Sequence, residues 1–203
     1  MAPNDWEQVT EEDFHKSGYT VGLEYWFRLK NYRLEFYPGV WFNYRSPQTI
    51  EAIWQTDVYE TKFESNYWSL QFATTFYPLD FEGDCNCPTF SKQGNLIKKG
   101  FFIQIVPELG IFNASTHTNS HLVETNTEGQ NVYFAIGAGA GLDIGITDLL
   151  TITPIFKLSY YPSVSWENGG FLGQELGNTS FLGKQLGLRI SLRPDYLRQT
   201  GRF

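Results

Sequence analysis

Tyr19-Thr20-Val21-Gly22-Leu23-Glu24-Tyr25-Trp26-Phe27-Arg28-Leu29 puts a large apolar side chain at every odd position, and small, polar or charged ones at all even positions but Trp26. A period of two sends successive side chains to opposite faces of a strand. The same alternation returns down the chain. One parity collects Leu34, Phe36, Val40 and Phe42, then Trp68, Leu70, Phe72 and Phe76, then Ile103, Ile105, Leu109 and Ile111. It continues through Val132, Phe134, Ile136 and Leu142, then Ile152, Phe156, Leu158 and Tyr160, and ends with Leu186, Leu188, Ile190 and Leu192. The opposite parity holds Glu24, Arg28, Arg33, Glu35, Arg45, Gln71, Gln104, Glu108, Asp143, Lys157 and Arg189, with Gly39, Gly110, Gly137, Gly139, Gly141 and Gly187 between them.

Side-chain volume decides which face is which. An eight-stranded barrel interior is only just filled by side chains or by one small ligand, so roughly forty large apolar groups cannot enter it. A soluble lipocalin-type barrel, with the bulky set inside, is therefore disfavoured. The bulky set is expected to face lipid and the charged set a narrow lumen. The fold class expected is all-β, an eight-stranded antiparallel up-and-down transmembrane β-barrel. Its strands are read at Ser17 to Lys30, Arg33 to Arg45, Thr49 to Tyr59, Asn66 to Leu79, Phe101 to Asn113, Asn131 to Ile146, Leu149 to Tyr161 and Phe181 to Arg193. Thr49 to Tyr59 is counted because an even number starts and ends the chain on the same, periplasmic, side. The organisation is an acidic leader over 1–16, a barrel over 17–193 and a tail over 194–203.

Composition agrees with that class. The 203 residues carry 17% aromatic and 18% charged side chains, which suits one all-β domain. No apolar run approaches the roughly 18 residues of a spanning helix, and barrel strands give a weak hydropathy signal in any case. The start, Met1-Ala2-Pro3-Asn4-Asp5, has no basic end or apolar core and reads as a mature or recombinant form. A net charge of −7 and the absence of a basic stripe exclude nucleic acid as an expected partner. Pro38, Pro107 and Pro154 fall mid-strand, where each removes a ladder donor. A bulge or a pairing gap must absorb them.

Inside the lumen, Glu24, Arg28, Arg33, Glu35, Arg45, Glu108, Asp143, Lys157 and Arg189 are expected to pair as a charge network, since a lone buried charge is heavily penalised. With Trp26, Tyr37, Trp41, Phe112 and Tyr133 beside them, the lumen reads as plugged rather than as a pore. Other constellations are weaker. Ser115, His117, Ser120, His121 and Glu124 hold the residue types of a hydrolase, but in a polar loop expected over His117 to Gly129. Asp80, Glu82, Asp84 and Asn86 space oxygen ligands around Gly83 without the distal Glu of a calcium loop. Cys85 and Cys87 are too close to make a disulfide framework. Gly137-Ala138-Gly139-Ala140-Gly141 lacks the third glycine and the following helix of a dinucleotide loop.

The alternating strands, above all Tyr19 to Leu29, Arg33 to Arg45, Asn131 to Ile144 and Gly187 to Arg193, resemble the small outer-membrane β-barrels of Gram-negative bacteria, the OmpA- and OmpX-like group. The resemblance covers roughly Ser17 to Arg193 and is architectural. It implies a bacterial outer-membrane location, contact with outer-membrane lipid and lipopolysaccharide, and a short-turn periplasmic side opposite longer outer loops. It carries over no catalytic residue. Pro194 after the last strand departs from the usual aromatic end, and Phe203 comes about ten residues late. The function expected is a non-enzymatic structural or accessory subunit without a cofactor, bound to other outer-membrane or periplasmic proteins. An outer-leaflet lipid-modifying hydrolase of the lipid A deacylase type and a narrow pore are the alternatives.

Overall fold

The computed structural model describes residues 17–29, 32–54, 57–80, 96–119, 124–147, 150–166 and 176–192. They form one antiparallel sheet of β1 (Gly18–Glu24), β2 (Phe27–Arg28), β3 (Leu34–Trp54), β4 (Asp57–Phe76), β5 (Phe101–Asn119), β6 (Glu124–Leu142), β7 (Ile144–Gly145), β8 (Leu150–Trp166) and β9 (Leu176–Leu192). One short helix, α1 (Leu96–Gly100), leads into β5. β2 continues β1 along β3, and β7 continues β6 along β8, so the nine strands make seven lines in a simple meander. The sheet curls until an ion pair joins its first and last strands, Glu24 on β1 to Arg189 on β9. No ladder joins those two strands among the described residues, which leaves a curled half-barrel with an open seam.

The segment Thr49 to Tyr59 is not a strand of its own. Residues 49–54 are the far end of β3 and 57–59 the near end of β4, paired from Thr49↔Lys62 up to Trp54↔Asp57. A bulge between Arg45 and Gln48 takes up Ser46-Pro47, which reads from sequence as a turn. Likewise, much of the polar stretch His117 to Gly129 is hairpin, with His117 opposite Asn126 and Asn119 opposite Glu124. Three long hairpins thus project at one end of the sheet, and at the other lie two short connections and the longer one over 77–100 that ends in α1. The leader 1–16, residues 81–95 with both cysteines, Ser120, His121 and the tail lie outside the described residues.

Each mid-strand proline sits at a two-residue gap in one ladder, with the register unchanged across it. β1 pairs as far as Glu24↔Gly39 and β2 resumes at Phe27↔Phe36, so the gap lies at Tyr25-Trp26, opposite Tyr37-Pro38. The β4–β5 ladder skips from Gln71↔Glu108 to Thr74↔Ile105, opposite Pro107. Between β6 and β7 the β8 ladder skips Leu142 and Asp143, opposite Pro154. A missing N–H removes one bond of an antiparallel pair and nothing else, so the strand continues. Tyr25 still donates to the Pro38 carbonyl at 2.8 Å, and the Asp143 amide turns to the Gly100 carbonyl at 2.9 Å.

Bulk is partitioned as volume requires. Leu23 and Leu186 are 84% exposed and Val132 is 71% exposed on the outer face, while Arg33, Glu35, Glu108 and Asp143 are buried on the inner one. Inner glycines make room for charged side chains, Glu24 opposite Gly39 and Arg45 opposite Gly18, and for rings. A Cβ on Gly22 would meet the Trp41 ring at 2.2 Å, on Gly110 the Tyr133 ring at 2.6 Å, and on Gly141 the Phe102 ring at 2.4 Å. In each case the ring belongs to the residue directly opposite in register.

Replacing Pro107 by Val restores the donor opposite Phe72. Stability is expected to rise by about 0.5–1.5 kcal/mol, one backbone hydrogen bond, read as a higher urea midpoint in detergent micelles. A lower midpoint would mean that the gap is held open by packing and not by the missing donor.

Candidate functional site

Every inner-face side chain belongs to a residue whose neighbours on the strand face outward, so the strands' own alternation delivers the polar groups to one concave surface. Three hydrogen-bonded centres form there. Nearest the short-turn end, Arg33 pairs with Asp80, lies 4.3 Å from the Tyr77 ring centroid and donates to the Lys99 carbonyl just before β5. Beside it, Glu35 Oε2 accepts from Trp26 Nε1 at 3.0 Å and from Tyr37 Oη at 2.6 Å. Tyr77 Oη lies between Glu35 Oε2, 3.0 Å away, and Asp143 Oδ2, 2.5 Å away, and its single hydrogen serves one at a time. Asp143 also accepts from Thr153 Oγ1 at 2.5 Å.

At mid-height, Glu108 Oε1 accepts from Tyr133 Oη at 2.7 Å and Oε2 from Gln71 Nε2 at 2.9 Å. Lys157 Nζ donates to Gln71 Oε1 at 3.1 Å and lies 3.8 Å from Glu108. Toward the long-hairpin end, Arg45 Nη2 donates to Tyr67 Oη at 3.0 Å, above a cluster of Phe63, Tyr67, Phe112, Tyr133, Ala135 and Tyr161. Those rings pack edge-to-face or tilted, with Tyr67 5.7 Å from Tyr133 and Tyr133 5.6 Å from Tyr161. They form one buried cluster on the concave face.

The third charged centre bridges the seam. Arg189 Nε lies 2.7 Å from Glu24 Oε2, Nη2 donates to Oε1 at 3.4 Å, and the guanidinium covers the Tyr37 ring at 4.0 Å. Arg28 lies over the Trp26 ring at 5.9 Å. A cavity of about 670 Å³ opens along this line, bounded by Ser17 to Thr20 and Glu24 on one side and Phe181 to Arg189 on the other, with Arg45, Gln71, Gln104 and Lys157 behind. On the outer face a second, apolar depression of about 750 Å³ surrounds Pro38 and Pro107.

The nine predicted charges therefore occupy the inner face, but as separate centres, most of them completed by tyrosines. Tyr77 and Asp80 are essential members that sequence reading did not place there. Asp80 reads from sequence as part of a possible cation loop, whereas it is the partner of Arg33. Tyr77 lies one residue past the end of β4, on the parity already marked inner by Gln71 and Thr75, and that parity was the available signal. Ser115 and His117 share one strand face two residues apart, and no hydrogen bond joins them among the described residues. His117 faces Glu124 at 3.7 Å on an exposed hairpin. A serine-histidine pair is not assembled among the described residues.

Removing one member of the seam pair leaves a buried charge. Glu24→Gln or Arg189→Met alone is expected to cost about 3–5 kcal/mol, and the double variant less than the sum, in a urea-denaturation mutant cycle in micelles. Additive losses would show that the two charges do not interact. Comparison with protein-family models, curated proteins and solved structures gives no match for this chain.

Proposed function

We propose that this chain is a non-enzymatic integral protein of a bacterial outer membrane, its sheet crossing the bilayer and its lumen plugged, acting as a structural or accessory subunit of a membrane complex. The observation that carries the reading is the exposed outer face. Twenty-eight large hydrophobic residues are exposed among the described ones. Burying one such side chain fully is worth roughly 1.5–3 kcal/mol, so covering this face supplies tens of kcal/mol, several times the net stability of a domain. Soluble monomers rarely present a contiguous apolar patch beyond a few hundred Å².

The outer aromatics run through the whole height of the face, with Phe134 at its middle. Tyr19 packs on Tyr44 at 5.1 Å and Phe42 on Trp68 at 4.9 Å toward the long hairpins, while Phe27, Phe36 and Phe72 stack toward the short turns. Phe36 and Tyr44 are eight residues apart on β3, about 27 Å of strand and about 20 Å of height at a ~40° tilt. Membrane barrels carry an apolar band of about 25 Å flanked by aromatic girdles. The long hairpins would then face lipopolysaccharide, and α1 with the short connections the periplasm. Buried inner charges held in ion pairs and hydrogen bonds, and a packed ring cluster, favour structural work over conduction or catalysis.

Four measurements test this. The chain is expected to fold in detergent or bilayers and to aggregate without them, and a folded, detergent-free monomer by sedimentation would sink the membrane assignment. Purification from native outer membrane in mild detergent is expected to bring down a stoichiometric partner protein. Planar bilayers should stay silent, and Ser115→Ala with His117→Ala should leave lipid A unchanged. Steady conductance would favour the pore, and altered lipid A the hydrolase.

A further inference from the structure

We infer that the cavity along the seam binds a saccharide, its hydroxyls meeting Trp41, Gln104 and Arg189. Hydrogen-bonding capacity is the first argument. All three residues line the cavity, where Trp41 Nε1 and Arg189 Nη1 are buried donors and Gln104 Oε1 is a buried acceptor, each without a partner among the described residues. Gln104 is only 5% exposed, so its carbonyl carries the desolvation penalty of a buried polar group until a donor meets it. A carboxylate or phosphate brings acceptors alone and an ammonium donors alone, whereas each hydroxyl brings both. The mixed set calls for hydroxyls.

Charge is the second argument. Lys157 and Arg189 are already matched, the one 3.8 Å from Glu108 and the other 2.7 Å from Glu24. Arg45 stands six residues along β3 from Gly39, the partner of Glu24, about 20 Å away, and donates to Tyr67. At the level of the two pairs an ion of either sign finds its counter-charge engaged, and a neutral ligand leaves both pairs in place.

Apolar surface and space are the third. A sugar sets a rim of hydroxyls around C–H faces that pack on the electron-rich faces of rings. The Trp41 ring lies over Gly22, and Tyr161 and Phe181 stack at 4.3 Å, all on the cavity wall. Gly187 keeps the β9 side open, because a Cβ there would meet nothing within 4 Å. The volume of about 670 Å³ lies within the roughly 300–1,000 Å³ of ordinary small-molecule sites.

Two sources offer this chemistry, a free saccharide and the sugar head of a glycolipid. The acyl chain of the second would lie over Leu186 and Leu188, exposed at the rim. The site lies on the concave face, so the inference does not depend on what covers the outer one.

The test is isothermal titration of the full chain in micelles of lauryldimethylamine oxide, a detergent without sugar; a chain that folds without detergent is titrated in buffer. Maltotriose, chitotriose and mannotriose are the free probes, and dodecyl maltoside, added as a minor component, is the lipid-linked one. Saturable binding of at least one probe is expected. A trisaccharide that binds identifies a free glycan as the source, and binding of dodecyl maltoside alone a glycolipid. Gly187→Leu fills space that the fold leaves empty, so it should abolish binding with an unchanged urea midpoint. Trp41→Phe and Gln104→Leu, each removing one hydrogen-bonding atom, should each weaken binding about fivefold. No saturable binding by any probe, undiminished binding to the Gly187→Leu chain, or tighter binding of sodium laurate than of every sugar overturns the inference.

Discussion

Backbone polarity governs this molecule. In an antiparallel sheet every strand must have neighbours running the other way, and a line of seven leaves its two ends pointing in the same direction. Curling brings those ends close enough for Glu24 to meet Arg189, yet the contact is made by side chains and the main-chain edges stay apart. The position of the cavity, the location of the unsatisfied donors and the exposure of β1 and β9 all follow from that one mismatch. Arg189 Nη1 is buried beside that seam with no acceptor among the described residues.

The inner surface shows how a narrow concave sheet accommodates charge. Three buried carboxylates take their hydrogen bonds from neutral hydroxyl, amide or indole donors: Glu35 from Trp26 and Tyr37, Glu108 from Tyr133 and Gln71, Asp143 from Thr153. Neutral donors lower the desolvation cost without adding another charge to be compensated. The rings need space, and the directly opposite glycines provide it. Aromatic, glycine and carboxylate are therefore coupled choices on this face.

Much of this was legible in the sequence because strand parity is a local property. Which residues face in, from Glu24 to Arg189, followed from period two and from the volume of the opposite set. Strand number was not legible at one place. Ile50, Ala52 and Trp54 alternate like an outer face, and alternation does not distinguish a separate strand from the extended arms of a hairpin; only the pairing of Thr49 with Lys62 does so. Partners were equally hidden. Arg33 with Asp80 joins residues 47 apart, and Glu24 with Arg189 residues 165 apart, separations that depend on the curl of the whole sheet. The prolines read as a conflict in the sequence and proved to be gaps of two residues in register.

Those gaps have a mechanical meaning. Pro38 is opposite Phe72, Phe72 faces the Pro107 gap, and Pro107 is opposite Ile136, so Tyr25, Pro38, Phe72, Pro107 and Ile136 form one row across five adjacent lines of the sheet. Along that row and the next, through Trp26, Tyr37, Ala73 and Val106, two of the four ladders lose their pairing, while the rows on either side of these two are paired throughout. The sheet is creased there. Bending about the crease changes its curvature at little cost in hydrogen bonds, and what such bending alters most is the distance between the two free edges.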